Sequence, residues 1–310
     1  MSITSATTTA RQPRDLGRAV RAARAAGPGG HPATTAWAAP VTTDPPPPGV
    51  SPPPAVRSRR GGRPEARLVA DPWLSSTVTI PADRCGPPGM GNGGWVSGTV
   101  ASHLGRGPIE VTLHAPTPLD VPLGLGVADD DASLDDAGRV VVTARRVAVT
   151  PVPPAAVTWD EAVAAGEAFA GHHDHPFPGC FVCGTDRGHG DGLRLFAGPV
   201  AGLPGTVAAA YIPHPAHTHD GRRLPPAGVW ALLDCPSAWV AYGPGKVAVL
   251  GQLTAEVTGA VEVGRRYVVV ARIIGEEGRR LRSRVAVHDV DAGRLIATGL
   301  ATWVRILAPG

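Results

Sequence analysis

An aspartate lies within an apolar run in the second half of the chain. Asp234 belongs to the segment Ala231-Leu-Leu-Asp-Cys235, where a carboxylate is uncommon unless it is paired, desolvated for function or capping a helix. Pro236 follows, and it would remove one backbone hydrogen bond from a helix through this run. Two interpretations stay open: Asp234 is the acid or base of an active site, or it caps a helical turn that restarts at Pro236.

A second group of residues has the spacing of metal ligands. Cys180 and Cys183 form a Cys-x-x-Cys pair, which is half of a typical zinc site. Four histidines lie close enough in sequence to complete a tetrahedron: His172, His173, His175 and His189. Because no second Cys-x-x-Cys pair follows, we expect no metal and no cofactor, with structural zinc at this pair as the alternative. Cys235, which has no histidine near it in sequence, is expected to be inert packing.

The elements that must position these residues are predicted to occur in the same order twice. A Gly-rich turn, Gly86 to Gly94, precedes a helix over Gly94–Leu104, and a second helix covers Gly228–Tyr242. Alternating β-branched segments predict strands in both copies. These are Ser75–Ile80, Ile109–His114, Leu123–Val127 and Val140–Val149, then Leu193–Phe196, Thr206–Ile212, Val247–Thr258, Tyr267–Ile274, Leu281–His288 and Leu295–Ile306.

Between the two copies lies a helix with a recognisable start. Thr158-Trp-Asp-Glu161 has the pattern of a capping box, and the helix is predicted to run to about Phe169. Residues 1–67 precede both copies and are dominated by Ala, Thr, Pro, Gly and Arg, so they are predicted to be a disordered tail.

Length, charge and composition argue against a nucleic-acid-binding protein and against a membrane-spanning one. A length of 310 residues suits two domains and a tail. The net charge of +3 comes from scattered arginines, which gives no support for nucleic-acid binding. Apolar runs stay shorter than the eighteen or so residues of a membrane span, so no span is expected. Four cysteines without a disulfide framework indicate a reducing, cytoplasmic location.

Three segments of the second copy carry a resemblance to a known family. Gly179-Cys-Phe-Val-Cys-Gly184, Gly192-Leu-Arg-Leu195 and Trp230-Ala-Leu-Leu-Asp-Cys-Pro236 resemble the PaaI-like acyl-CoA thioesterase branch of the hotdog-fold superfamily. The resemblance covers roughly Phe177 to Leu307. In the first copy it depends on Gly86 to Gly94 and on Pro116-Thr-Pro-Leu119.

The resemblance implies an α+β fold made of two tandem hotdog domains, each an antiparallel sheet wrapped around a central helix. The expected boundaries are 68–157 for the N-terminal domain, 158–176 for a linking helix and loop, and 177–310 for the C-terminal domain. An isolated hotdog leaves a sheet edge and a helix face uncovered, so the two domains are expected to form an internal pseudo-dimer, with a further homo-oligomer possible.

The family's chemistry assigns roles to individual residues. It implies hydrolysis of an acyl-CoA or a related thioester, with Asp234 as the carboxylate that activates water in the second copy and Ala101 at the same position of the first. Backbone N–H groups at a central helix's start would polarise the thioester carbonyl. The expected substrate-binding residues are Asn92, Gly93, Gly94, Gly228 and Trp230, although Asn92 can equally be a plain helix cap. The alternative function is a catalytically silent protein that binds acyl ligands.

We predict that a chain lacking residues 1–67 folds as stably as the full chain, because the composition of this segment cannot support a core. Limited proteolysis followed by mass spectrometry should remove the segment quickly and leave a resistant fragment. A resistant fragment that still begins near Met1 would contradict the prediction.

Overall fold

The computed structural model describes residues 74–241 and 247–306. The predicted tail, residues 1–67, lies outside the described residues, as does the predicted helix end at Tyr242. Within the described ranges the chain forms three α-helices, α1 (Gly93–Ala101), α2 (Trp159–Glu167) and α3 (Pro226–Trp239). The strands are β1 (Leu74–Thr79), β2 (Ile109–Leu113), β3 (Pro122–Ala128), β4 (Asp131–Asp136), β5 (Arg139–Arg146), β6 (Gly198–Pro199), β7 (Thr206–Tyr211), β8 (Val247–Val257), β9 (Tyr267–Glu277), β10 (Arg280–Asp289) and β11 (Arg294–Ile306).

The described strands make one antiparallel sheet in the order β1-β3-β4-β5-β2-β8-β11-β10-β9-β7-β6. Strands from the first part of the chain form one side of the sheet, and strands from the second part form the other. The sides join where β2 pairs with β8, from Ile109 opposite Ala255 to Thr112 opposite Gln252. Tight connections set the register; Gly278 at φ 55° stands between β9 and β10.

Helix α3 is the most enclosed element. Every residue from Ala227 to Trp239 is buried, as expected for a helix that is apolar on all sides. It packs against β8, β9, β10 and β11 and against α1. None of the helices in the described part of the chain has the length and apolar character needed to span a bilayer.

Two glycines set the distance between α1 and α3. A Cβ at Gly94 would lie 2.5 Å from the Cβ of Asp234 and 2.7 Å from the Trp230 carbonyl oxygen. A Cβ at Gly98 would lie 2.6 Å from the Cα of Ala227 and from the Cβ of Trp230. These spaces are too small for any side chain, so the four-residue glycine spacing allows backbone-to-backbone packing of the helices.

The predicted strand Leu193–Phe196 is wrong. Arg194 has a φ of 53°, which breaks extended geometry, and the segment lies outside the sheet. The amides of Leu193 and Leu195 donate instead to the carbonyls of Phe181 and Val182, each at 2.8 Å. The alternating leucines, Leu193 and Leu195, therefore bind the Cys-x-x-Cys segment through their backbone amides.

Strand β4 was not predicted, because three of its six residues are aspartates and a fourth is serine, a composition that resembles a polar loop. Its inward residues are Ala132 and Leu134, and the polar ones face outward at period two.

The predicted capping box of α2 is confirmed: Thr158 Oγ1 accepts from the Glu161 amide at 3.2 Å, and Glu161 Oε2 accepts from the Thr158 amide at 2.7 Å.

We predict that Gly98→Ala lowers the free energy of unfolding by about 1–3 kcal/mol, because the methyl group must push two backbones apart. This loss should exceed the gain of up to about 1 kcal/mol that alanine brings to a helix. Urea unfolding measures the change. Gly188→Ala is the matched control, since its Cβ would meet nothing within 4 Å. A Gly98→Ala protein as stable as wild type would show that the helices can separate without cost.

Candidate active site and thiol cluster

Asn92 caps α1 and is fixed from several directions. Its Oδ1 accepts from the Trp95 amide at 2.9 Å, and its backbone amide donates to the Arg84 carbonyl at 2.9 Å. The cap that the sequence offered as one interpretation of Asn92 is confirmed. The other side-chain atom, Nδ2, is left to point at α3, where it donates to Asp234 Oδ2 at 2.6 Å.

Asp234 lies in the interface between α1 and α3, with 2% of its surface exposed. Oδ2 accepts from Asn92 Nδ2 and also from the Gly94 amide at 2.9 Å. Oδ1 has no hydrogen-bond partner among the described residues. Burial raises the pKa of Asp234 to about 7, although the Gly94 and Asn92 hydrogen bonds act in the opposite direction.

The interpretation of Asp234 as a cap of its own helix is wrong. Helix α3 continues from Pro226 through Pro236 to Trp239 without a restart. Instead, the carboxylate lies at the start of α1, where the Gly94 amide is one of the N–H groups that lack a partner within that helix. A negative charge at this end also interacts favourably with the dipole of α1.

Gly93 and Gly94 differ in what their amides can do. The Gly94 amide is engaged by Asp234, whereas the Gly93 amide has no acceptor in the described part of the chain. Gly93 is partly exposed, and a Cβ there would lie 2.9 Å from Leu250 Cδ2. The first amide of α1 is thus free to donate to a ligand beside the acid.

Gly228 and Trp230 lie on α3 rather than around an open cleft. The Gly228 amide donates to the Pro225 carbonyl at 2.9 Å, so it is not a free donor. Trp230 is 4% exposed and packs against the glycines of α1. Their predicted role in substrate binding stays a prediction.

The structure brings a third thiol to the predicted Cys-x-x-Cys pair. Cys180, Cys183 and Cys235 are buried, and their sulfur atoms all lie within 4.8 Å of one another; the Cys180 and Cys235 sulfurs are 3.7 Å apart. These three residues are called the thiol cluster below. Hydrogen bonds from the neighbouring thiols, first Cys183 and then Cys235, hold the pKa of Cys180 well below its usual value.

The third cysteine was missed because it is 55 residues away in sequence from the first. It adjoins Asp234 on α3, and Asn92 Nδ2 lies 3.9 Å from its sulfur. Two of the histidines that the sequence offered as ligands contact other groups. His172 Nε2 lies 3.1 Å from the Gly166 carbonyl oxygen, and the His189 ring contacts that of His214.

Comparison with known proteins gives matches among solved structures only. Neither a protein-family model nor a curated protein matches the sequence. Among solved structures, a proposed thioesterase from Novosphingobium aromaticivorans aligns with a TM-score of 0.51 at 16% identity, over 77% of this chain and 97% of that one. A proposed thioesterase II from Thermobifida fusca gives 0.50 at 13% identity, over 77% and 94%.

A third solved structure extends the range of chemistry on this fold. The dehydratase domain of a mycocerosic acid synthase-like polyketide synthase gives a TM-score of 0.50 at 18% identity, over 79% of this chain and 98% of that one. Likeness at these identities shows the fold and not the reaction. It confirms the hotdog fold expected from the sequence motifs.

We predict that Asn92→Ser lowers the free energy of unfolding by about 1–3 kcal/mol, because it removes a hydrogen bond to a buried carboxylate. Asn92→Asp should cost more, because an oxygen would replace Nδ2 against Asp234 Oδ2. Urea unfolding of the two variants and wild type tests this. A residue that only caps α1 would tolerate Ser and Asp nearly equally, so three equally stable proteins would contradict the prediction.

Proposed function

We propose that this hotdog-fold chain hydrolyses an acyl-CoA or a related thioester, with Asp234 as general base. One observation carries the proposal. A buried carboxylate on α3 is held by Asn92 and Gly94 at the start of α1, directly beside the free amide of Gly93. An acid and an N–H donor at a helix start are the two groups that thioester hydrolysis requires.

The proposed reaction uses each group once. A water molecule attacks the carbonyl carbon, and Asp234 Oδ1, the oxygen without a partner among the described residues, takes a proton from that water. The Gly93 amide and the positive end of α1 stabilise the oxyanion. The carbon–sulfur bond then breaks, and the thiolate leaves and is protonated, so the products are a carboxylic acid and a free thiol.

The enclosure of Asp234 favours a second candidate, a silent protein that binds acyl ligands. With 2% of its surface exposed, Asp234 meets a substrate only after neighbouring side chains move. The start of α3 also offers fewer donors than the start of α1, since Pro226 has no amide hydrogen and Gly228 donates to Pro225, which leaves the amide of the buried Ala227. Binding without turnover of acyl-CoAs is the signature of this candidate.

The proposal extends to architecture. We infer a tandem pair of hotdog domains, with boundaries at 68–157, 158–176 and 177–310, that form an internal pseudo-dimer. The junction of β2 with β8 and the close packing of α1 on α3 support it. The chain is proposed to act in the cytoplasm, where neighbouring thiols stay reduced, alone or as a further homo-oligomer.

We predict that Asp234→Asn lowers kcat on acyl-CoAs by about a hundredfold or more, because the amide cannot accept the proton. Both donors to Oδ2 can be kept, so folding should change little. Ser237→Ala is the matched control: it lies one turn further along α3 and is equally buried. Its hydroxyl accepts from Trp303 Nε1 and donates to the backbone carbonyl of Asp234, so its loss leaves the two donors to the Asp234 carboxylate in place. It should weaken packing while retaining most of kcat.

The outcomes separate the two candidates. Wild type is assayed on a panel of acyl-CoAs, and binding is followed by calorimetry. Turnover that survives in Asp234→Asn removes Asp234 from the mechanism, and tight binding with no turnover in wild type favours the silent protein.

A further inference from the structure

The thiol cluster has the dimensions of a metal site. Tetrahedral zinc with Zn–S bonds of 2.3 Å places its sulfur ligands about 3.8 Å apart, and the Cys180 and Cys235 sulfurs are 3.7 Å apart. The third sulfur, of Cys183, lies within 4.8 Å of both. The three sulfurs are therefore at most about 1 Å further apart than the ligands of tetrahedral zinc.

The turn that carries two of the thiols is built tightly. The Gly184 amide donates to the Cys180 carbonyl at 2.8 Å, and a Cβ at Gly184 would lie 2.4 Å from the carbonyl oxygens of Cys180 and Pro178. Only glycine fits there. This conformation turns the amides of Val182 and Cys183 toward the Cys180 sulfur, an arrangement that stabilises a thiolate.

A further donor faces another sulfur of the cluster, since Asn92 Nδ2 lies 3.9 Å from the sulfur of Cys235. Three buried thiolates without a cation would be very costly, whereas a divalent ion would leave a net charge of about −1 that these donors solvate. The donors therefore match a metal thiolate site better than three packed thiols.

His175 is not the fourth ligand in this arrangement. Its Nδ1 accepts from the Phe177 amide at 2.9 Å, so the neutral ring carries its proton on Nε2, which has no hydrogen-bond partner among the described residues. Ligation through Nε2 would need the other tautomer and would break the Phe177 hydrogen bond. The fourth position falls to a water molecule or another small ligand.

We propose that Cys180, Cys183 and Cys235 bind one Zn²⁺, which ties α3 to the turn at residues 180–184. Binding replaces three S–H bonds by three Zn–S bonds and releases up to three protons to solvent, with no change in oxidation state. The site is independent of the proposed hydrolysis, because its readout is metal content and not turnover.

The test measures metal on the full-length chain, purified from zinc-supplemented cells in reducing buffer without chelator. Mass spectrometry of the elements should find about one zinc per chain in wild type. Cys235→Ser should weaken zinc binding by about tenfold or more. Cys85→Ser is the matched control: it removes the cysteine outside the cluster and should keep its zinc.

Cobalt gives an independent readout. After removal of zinc, titration with Co²⁺ should produce a sulfur-to-cobalt charge-transfer band in wild type and in Cys85→Ser, and a weaker one in Cys235→Ser. If Cys235→Ser does not fold by circular dichroism, Cys183→Ser takes its place. Wild type that holds neither zinc nor the cobalt band overturns the proposal, and so does equal zinc in wild type and in the cluster variant that folds.

Discussion

The close approach of α1 and α3 at Gly94 and Gly98 is the constraint on which the site depends. With a Cβ at Gly94 excluded by the Cβ of Asp234 at 2.5 Å, the two backbones touch where the acid branches from α3. The Gly94 amide then meets the carboxylate at 2.9 Å. A wider separation would give the carboxylate neither this partner nor Asn92. Helix packing and the polar contact are therefore one arrangement, and the sheet around them fixes it by joining β2 to β8.

Asn92 links the acid to the thiol cluster. A single amide nitrogen lies 2.6 Å from Asp234 and 3.9 Å from the sulfur of Cys235, because consecutive residues of α3 face the same capped end of α1. Its oxygen meanwhile caps that helix. One side chain thus satisfies the helix start, orients the carboxylate and faces a thiol. Directed hydrogen bonds thus offset part of the cost of burying these polar groups, while Asp234 Oδ1 stays without a partner among the described residues.

Much of the fold could be predicted from local pattern. Helices α1 and α2 have side-chain caps at Asn92 and Thr158, α3 is a long apolar run, and the long strands are rich in β-branched residues. Strand β4 was missed because it is rich in aspartate and only two of its residues are buried at alternating positions. The segment Leu193–Phe196 was predicted as a strand because its apolar residues alternate, and this pattern does not show that Arg194 has a positive φ. Asp234 was found from its apolar setting. Cys235 was not recognised as part of a cluster, because only tertiary structure brings it to Cys180.

The two helices are alike in packing and different in chemistry. Nine residues after its N-cap, α3 carries Asp234 (225 to 234) and α1 carries Ala101 (92 to 101). The start of α1 has the Asn92 side chain as its cap and the free backbone amide of Gly93, whereas α3 begins with Pro225 and Pro226, which lack amide hydrogens. An acid opposite the start of α3 would meet the Ala227 amide but no capping side chain that donates. Burial of a poorly paired carboxylate is costly, so the acid is retained at the end that supplies two donors, the Asn92 side chain and the Gly94 amide.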